Sequence, residues 1–251
     1  MWKKISIGLL AGIFRLVMTK FTATIFFLFI LLQTKAQKMQ VIKGYCGIYY
    51  KTMGDIYHQK QAELDFYEFQ PRQVVASIGA GCGHWEAAFA ATTDSISFYL
   101  EDIDTSFFNQ RQVGFAWHYY DSLRGRSMTS TYTMITGNEE STLLPGNTFD
   151  KIIIINSFHE FTRVDDMLAD IKTKLKPGGI LYIDETVPKR KGQLHGICKK
   201  PMLTPDKMIS ILSGNGFAYI NGLEILFRKG KPFRKIYAFR KNLSAGYVIK
   251  F

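Results

Sequence analysis

Directly after the β-branched run Val74–Ile78 the chain reads Ser77-Ile78-Gly79-Ala80-Gly81-Cys82-Gly83. Glycines in such a turn let the backbone bend tightly and let a ligand lie against it with no Cβ in the way. The helix that follows would add free backbone N–H donors at its first turn. A dinucleotide fingerprint, G-x-G-x-x-G, would need its third glycine at position 84, which is His84. Asp102 stands at the end of the next apolar run, 23 residues after Gly79. A carboxylate there can accept hydrogen bonds from ribose hydroxyls. Alternation along the strand favours Asp102 over its neighbours Glu101 and Asp104, and Asp104 suits a helix cap. Further on, Asn156-Ser157-Phe158-His159-Glu160 follows four consecutive isoleucines. The C-terminal end of a central strand is where open α/β sheets place their ligands. His159 and Glu160 are therefore the candidates for a base or an acceptor-positioning group. His195-x-x-Cys198 supplies half of a metal site, but no partner pair is visible, so no metal is expected.

These residues need a scaffold, and the remaining pattern describes one. Short β-branched runs alternate with helical periodicity, which argues for an α/β fold with a parallel sheet and crossover helices. Val74–Ile78, Ile96–Asp102, Tyr132–Ile135, Ile152–Ile155 and Ile180–Asp184 are the strands. The isoleucine run marks one buried on both faces. Asp104 and Thr105 are expected to cap a helix with Phe108, Phe115, Tyr119 and Leu123 on its apolar face. Val164, Met167, Leu168, Ile171 and Leu175 form a second helical stripe, stopped by Lys176-Pro177-Gly178-Gly179. A last helix starts at Thr204-Pro205-Asp206 and ends at Ser213-Gly214. Leu223–Phe227 and Lys235–Phe239 read as a terminal antiparallel pair.

The G-x-G-x-G spacing, the acid at 102 and the segments after them resemble the class I S-adenosylmethionine-dependent methyltransferases. The further matches, in order, are Gly137-Asn138-Glu139, Leu144-Pro145, Phe149-Asp150, Leu175-Lys176-Pro177-Gly178-Gly179 and Asn215-Gly216-Phe217. They cover nearly all of residues 70–240. The resemblance implies a doubly wound, mostly parallel seven-stranded sheet with an antiparallel C-terminal hairpin. It implies S-adenosylmethionine as cofactor, held by Ser77, Gly79, Ala80, Gly81, Gly83, Asp102, Ile103, Asn138, Glu139 and Asn156, with Ile103 packing on the adenine. Two positions depart from the pattern. Relatives usually carry Asp or Glu where this chain has Ser77, and often Asp where it has Asn138. The reaction implied is methyl transfer to an acceptor, with a small molecule as the default. A protein that keeps the fold and binds cofactor without turnover is the alternative that Ser77 favours. A nicotinamide oxidoreductase is disfavoured by His84.

Composition is globular, with 47 % apolar and 21 % charged residues among 251. The formal charge of +11 is concentrated early. Lys3, Lys4, Arg15, Lys20 and Lys35 have no acidic neighbours in residues 1–36, and +6 remains beyond them. That modest excess, with no Asn/Asp-Pro-Pro-aromatic motif, gives no reason to expect nucleic acid as a partner. Phe21–Leu32 is intensely apolar and ends in Thr34-Lys35-Ala36, like a signal peptide cleaved after Ala36. The domains expected are therefore a signal peptide or membrane anchor over 1–36 and the α/β domain over 37–251. Export to a periplasm or the outside, or membrane association through 1–36, follows from that reading. Lys189, Arg190, Lys191, Lys199 and Lys200 make 186–204 a basic segment, read as a solvated charge run more readily than as a lid for an acidic acceptor. Tyr49, Tyr50, Tyr57 and His58 can cap the cofactor or belong to the core.

Overall fold

A computed structural model describes residues 49–226 and 234–242. Both the segment 1–36 and Phe227 of the expected hairpin lie outside the described residues. The described chain forms α1 (Met53–Tyr67), β1 (Val74–Ile78), α2 (His84–Ala90), β2 (Ser97–Asp102), α3 (Gln110–Arg124), β3 (Thr131–Thr136), β4 (Phe149–Ile155), α4 (Val164–Lys174), β5 (Leu175–Thr186), α5 (Pro205–Gly214), β6 (Phe217–Ile225) and β7 (Arg234–Lys241). A short 3-10 turn, Phe158–Glu160, lies between β4 and α4.

Seven strands form one sheet in the order β3-β2-β1-β4-β5-β7-β6. Strands β1 to β5 pair in parallel, and β7 enters antiparallel between β5 and β6. This is the doubly wound sheet with a C-terminal antiparallel pair that the pattern implied. Side chains alternate across a strand, so one sheet feeds two cores. Val75, Ile153, Tyr182 and Ile236 face one side with Ile56, Phe89 and Tyr120 of α1, α2 and α3. Ala76, Ile152, Ile154, Ile183 and Tyr237 face the other with Leu168, Ile171 and Leu212 of α4 and α5. The isoleucine run is therefore split between two layers, each residue fully buried from Ile152 to Ile154.

Several boundaries and one whole element differ from the expected ones. Helix α3 begins at Gln110, where Asn109 accepts the backbone N–H of Gln112 at 3.2 Å; Asp104 instead closes a turn on Ser106. The Lys176-Pro177-Gly178-Gly179 stretch is the irregular start of β5, not a turn ahead of it, with a register shift against β4 between Phe149 and Lys151. Strand β6 starts at Phe217 rather than near Leu223. It is an edge strand with a bulge between Tyr219 and Asn221 and mostly exposed side chains, so no alternation announces it. Helix α1 was not expected at all. Thr52 and Asp55 form a capping box at its start, but its buried positions include Lys60 and Glu63, which erases the apolar stripe.

Candidate functional site

The strand order reverses direction between β1 and β4, and the crevice beyond their carboxyl ends is the expected place for a ligand. A cavity of about 880 Å³ opens there. Its wall begins with Gly79, Ala80, Gly81 and Cys82 after β1 and continues through Asp102 and Ile103 after β2. Asn138 and Glu139 after β3, then Asn156 and Ser157 after β4, complete that half.

The loop is held from both neighbours. Ala80 N–H donates to the Glu101 carbonyl at 2.9 Å, and Gly81 N–H to Asp102 Oδ2 at 2.7 Å. Gly79 and Gly81 both have positive φ, at +70° and +55°. Asp102 Oδ1 accepts from the backbone of Asp104, which fixes the carboxylate while leaving it on the cavity wall. Burial raises its pKa above the ordinary aspartate value. All three neighbouring acids line the cavity, but Glu101 is almost fully buried and Asp104 serves its own turn. Ile103 is 51 % exposed on the cavity wall, an apolar surface awaiting a partner. Asn138 accepts backbone N–H groups of Glu140 and Ser141, shaping the loop that carries Glu139. Asn156 sits at φ +54° and accepts from Thr186 at 3.3 Å.

Two expected cofactor residues do not line the cavity. Gly83 caps α2 at φ +65°, and a Cβ there would meet Leu100 at 2.8 Å, so it serves loop packing. Ser77 is buried behind the loop and donates to Glu86 Oε1 at 2.5 Å. The carboxylate absent at position 77 thus stands one side chain further back, on α2. Burial pushes Glu86 up to about 7. Glu101 is driven to about 8 by burial and then by Asp102. Both keep one carboxylate oxygen without a hydrogen-bond partner.

The other half of the cavity is lined by Glu160, Thr186, His195, Ile197 and Ile225. His159 is not among its lining residues, which corrects the expectation of a base facing an acceptor. Its side chain is only 2 % exposed. Glu185 binds Nδ1 at 2.9 Å and also accepts the backbone N–H of His159. The net effect raises its pKa, burial opposing and Glu185 prevailing. The His195 ring packs on it at 4.5 Å between centroids. Glu160, the other candidate, does face the cavity. Lys189, Arg190, Lys191, Lys199 and Lys200 are exposed and none lines the cavity, as a solvated run requires.

Of the aromatics expected to cap the cofactor or join the core, Tyr49 and Tyr50 line the cavity. Tyr49 is exposed over the cavity and stacks on Trp85 at 5.8 Å, while Tyr50 is buried; Tyr57 does not line it. Lys60 and Glu63 of α1 and Arg234 of β7 form a buried charged wall. Lys60 binds Glu63 at 2.6 Å, and Arg234 pairs with Asp184 through two nitrogens and approaches Glu63 at 3.4 Å. Only the fold brings positions 60, 184 and 234 together.

Residues 78–183 match the family model described as "Methyltransferase domain". Among curated proteins, the chain is 25 % identical over 173 residues to "Highly reducing polyketide synthase pspA" of Penicillium soppii, covering 61 % of this chain and 7 % of that protein. It is 28 % identical over 123 residues to "Trichosetin synthetase PKS-NRPS1" of Gibberella fujikuroi, covering 47 % and 3 %. The chain thus spans less than a tenth of the length of either. Among solved structures, a SAM-dependent methyltransferase from Aquifex aeolicus shares 20 % identity, with 74 % of this chain and 92 % of that one covered and a TM-score of 0.54. The [4+2]-cyclase SpnF shares 18 %, with 74 % and 82 % covered and a TM-score of 0.56.

Proposed function

We propose that this chain, whose residues 78–183 match a methyltransferase domain, acts as a class I S-adenosylmethionine-dependent methyltransferase and transfers a methyl group from S-adenosylmethionine to a small-molecule acceptor held in the same cavity. The observation that carries this reading is the continuity of one cavity from the glycine loop to Glu160 and His195. Its volume lies within the range of about 300–1,000 Å³ typical of small-ligand sites. The cofactor half offers Asp102 for the ribose, Ile103 for the adenine face and the Gly79–Gly81 backbone for the methionine end. The acceptor half mixes apolar Ile197 and Ile225 with polar Glu160, Thr186 and His195.

The transfer is a displacement at the sulfonium carbon, and the cofactor supplies that reactivity. What the chain supplies is alignment and exclusion of water. Glu160, on the cavity wall, is the group placed to take a proton from an acceptor that must lose one. The five basic residues of 186–204 point to solvent, so neither an acidic acceptor nor nucleic acid is proposed. Export or membrane anchoring through residues 1–36 remains part of the proposal. Among the described residues no helix is long and apolar enough to cross a membrane. N-terminal sequencing of the chain recovered from a secretion-competent host tests it: a new start at Gln37 supports cleavage, an intact Met1 excludes it.

The test of function is incubation of the full chain with methyl-labelled S-adenosylmethionine and fractionated small-molecule extracts. Labelled product, with S-adenosylhomocysteine formed in equal amount, supports the reading. Cofactor binding without product in any fraction favours the binding-only alternative, which Ser77 in place of an acid makes specific.

A further inference from the structure

The segment between β5 and α5 is folded back on itself. His195 N–H donates to Lys200 O at 2.8 Å, Lys199 N–H to His195 O at 3.2 Å, and Met202 N–H to Gln193 O at 2.9 Å. Leu194 and Pro201 form a β-bridge, and Lys199 takes φ +60°. This knuckle sets His195 Nδ1 3.2 Å from Cys198 Sγ. Two ligands on one tetrahedral zinc, at ordinary Zn–N and Zn–S lengths, stand about 3.6 Å apart. The knuckle is pressed against His159 of the 3-10 turn. A ring nitrogen of His159, one of His195 and Cys198 Sγ all lie within 4.8 Å of one another.

His159 makes this more than proximity. Its Nδ1 is committed to Glu185, whereas Nε2 is buried and has no hydrogen-bond partner. A buried nitrogen left so is destabilising. A histidine whose far nitrogen is held by a carboxylate, with the near one bare, is how metal-binding imidazoles are oriented. Glu160 Oε1 lies 3.7 Å from Nε2.

We propose that His159, His195 and Cys198 bind one zinc-class transition-metal ion, with the fourth position left to solvent, and that the ion clasps the 187–204 segment onto the end of β4 beside the acceptor half of the cavity. Imidazole and thiolate donors suit zinc, and three close protein ligands with one open position fit one ion. The proposal does not rest on methyl transfer, since the ion is read without cofactor or acceptor.

The full chain, stripped with a chelator, is titrated with cobalt(II) and then zinc. One equivalent of cobalt should give a thiolate charge-transfer band and the strong visible bands of a four-coordinate ion, both lost on adding zinc. Cys198→Ser should abolish the charge-transfer band. His159→Asn and His195→Asn should weaken cobalt binding at least tenfold, and Glu185→Gln by about 10–100-fold through loss of orientation. Zinc should also slow tryptic cleavage at Lys189–Lys200 in the parent chain but not in Cys198→Ser, whose fold is checked by its thermal transition. Absence of saturable cobalt binding overturns the proposal, as does binding that Cys198→Ser and His159→Asn leave unchanged. Metal binding in a chain that fails to bind S-adenosylmethionine would leave this site standing while removing the functional reading.

Discussion

Gly79 and Ser157 close the floor of the cavity on each other across the β1–β4 crevice. A Cβ on Gly79 would stand 2.5 Å from Ser157 Cβ, and Gly79 is held at φ +70°. Ser157 Oγ in turn donates to the Ile78 carbonyl at 3.0 Å, which locks its position. Gly79→Ala is therefore expected to destabilise the fold by about 1–3 kcal/mol from backbone strain alone. Cofactor binding should also fall. Adding Ser157→Gly should recover part of the loss, because it removes the clash but not the strain. Urea denaturation measures both, and a Gly79→Ala variant as stable as the parent would show the floor can move.

Ile103 separates binding from folding. It is half exposed and packs on little, so Ile103→Ala should change stability by less than about 0.5 kcal/mol. If adenine covers it, the variant loses part of the roughly 1.5–3 kcal/mol that burying such a side chain contributes, weakening S-adenosylmethionine several-fold or more. Unchanged affinity would place the adenine elsewhere.

Glu86 ties stability to pH. Burial holds its folded pKa near 7, against 4.5 ordinarily. Below 4.5 both folded and unfolded forms are protonated and nothing is lost. As pH rises from 4.5 to 7 the unfolded chain releases its proton first, so stability falls, by up to about 3 kcal/mol for this group. Glu101, near 8, adds a loss of the same sign. Glu86→Gln keeps the Ser77 contact without a charge. Its melting temperature should match the parent near pH 4.5 and exceed it increasingly up to pH 8. A difference independent of pH would show that Glu86 is ionised in the fold.

The sheet and the glycine-loop side of the cavity were legible in sequence, and the reasons are local. Val74–Ile78 and the isoleucine strand advertise themselves by composition. The glycines at 79 and 81 and the acid at 102 act through backbone geometry tied to neighbouring positions. On the opposite side only Glu160 was legible, because the residues there meet only in three dimensions. His159 was read as cavity-facing from its place after β4. Nothing local reveals that Glu185, 26 residues away, turns its ring inward, or that His159 comes to lie beside the half-site His195-x-x-Cys198. Helix α1 escaped for a related reason: its inward charges, Lys60 and Glu63, pair with each other, and Glu63 also meets Arg234 near the far end of the chain.

That charged wall is expected to be sensitive to removal of one member. Arg234→Met leaves Asp184 buried without its main partner, and breaking such a pair costs about 3–5 kcal/mol. Arg234→Met with Asp184→Asn should be more stable than the single variant, since no bare charge remains. A change under about 1 kcal/mol for Arg234→Met, measured by denaturation, would show that water reaches Asp184.

Calorimetric titration of the chain with S-adenosylmethionine and S-adenosylhomocysteine, beside Asp102→Ala, is the most direct measurement. Micromolar binding of both ligands, about −8 kcal/mol, is expected in the parent chain. Asp102→Ala should weaken it at least tenfold, since hydrogen bonds to a charged group contribute about 1.5–3 kcal/mol. Absence of heat with either ligand, or affinity unchanged in Asp102→Ala, would contradict the placement of the cofactor in this cavity.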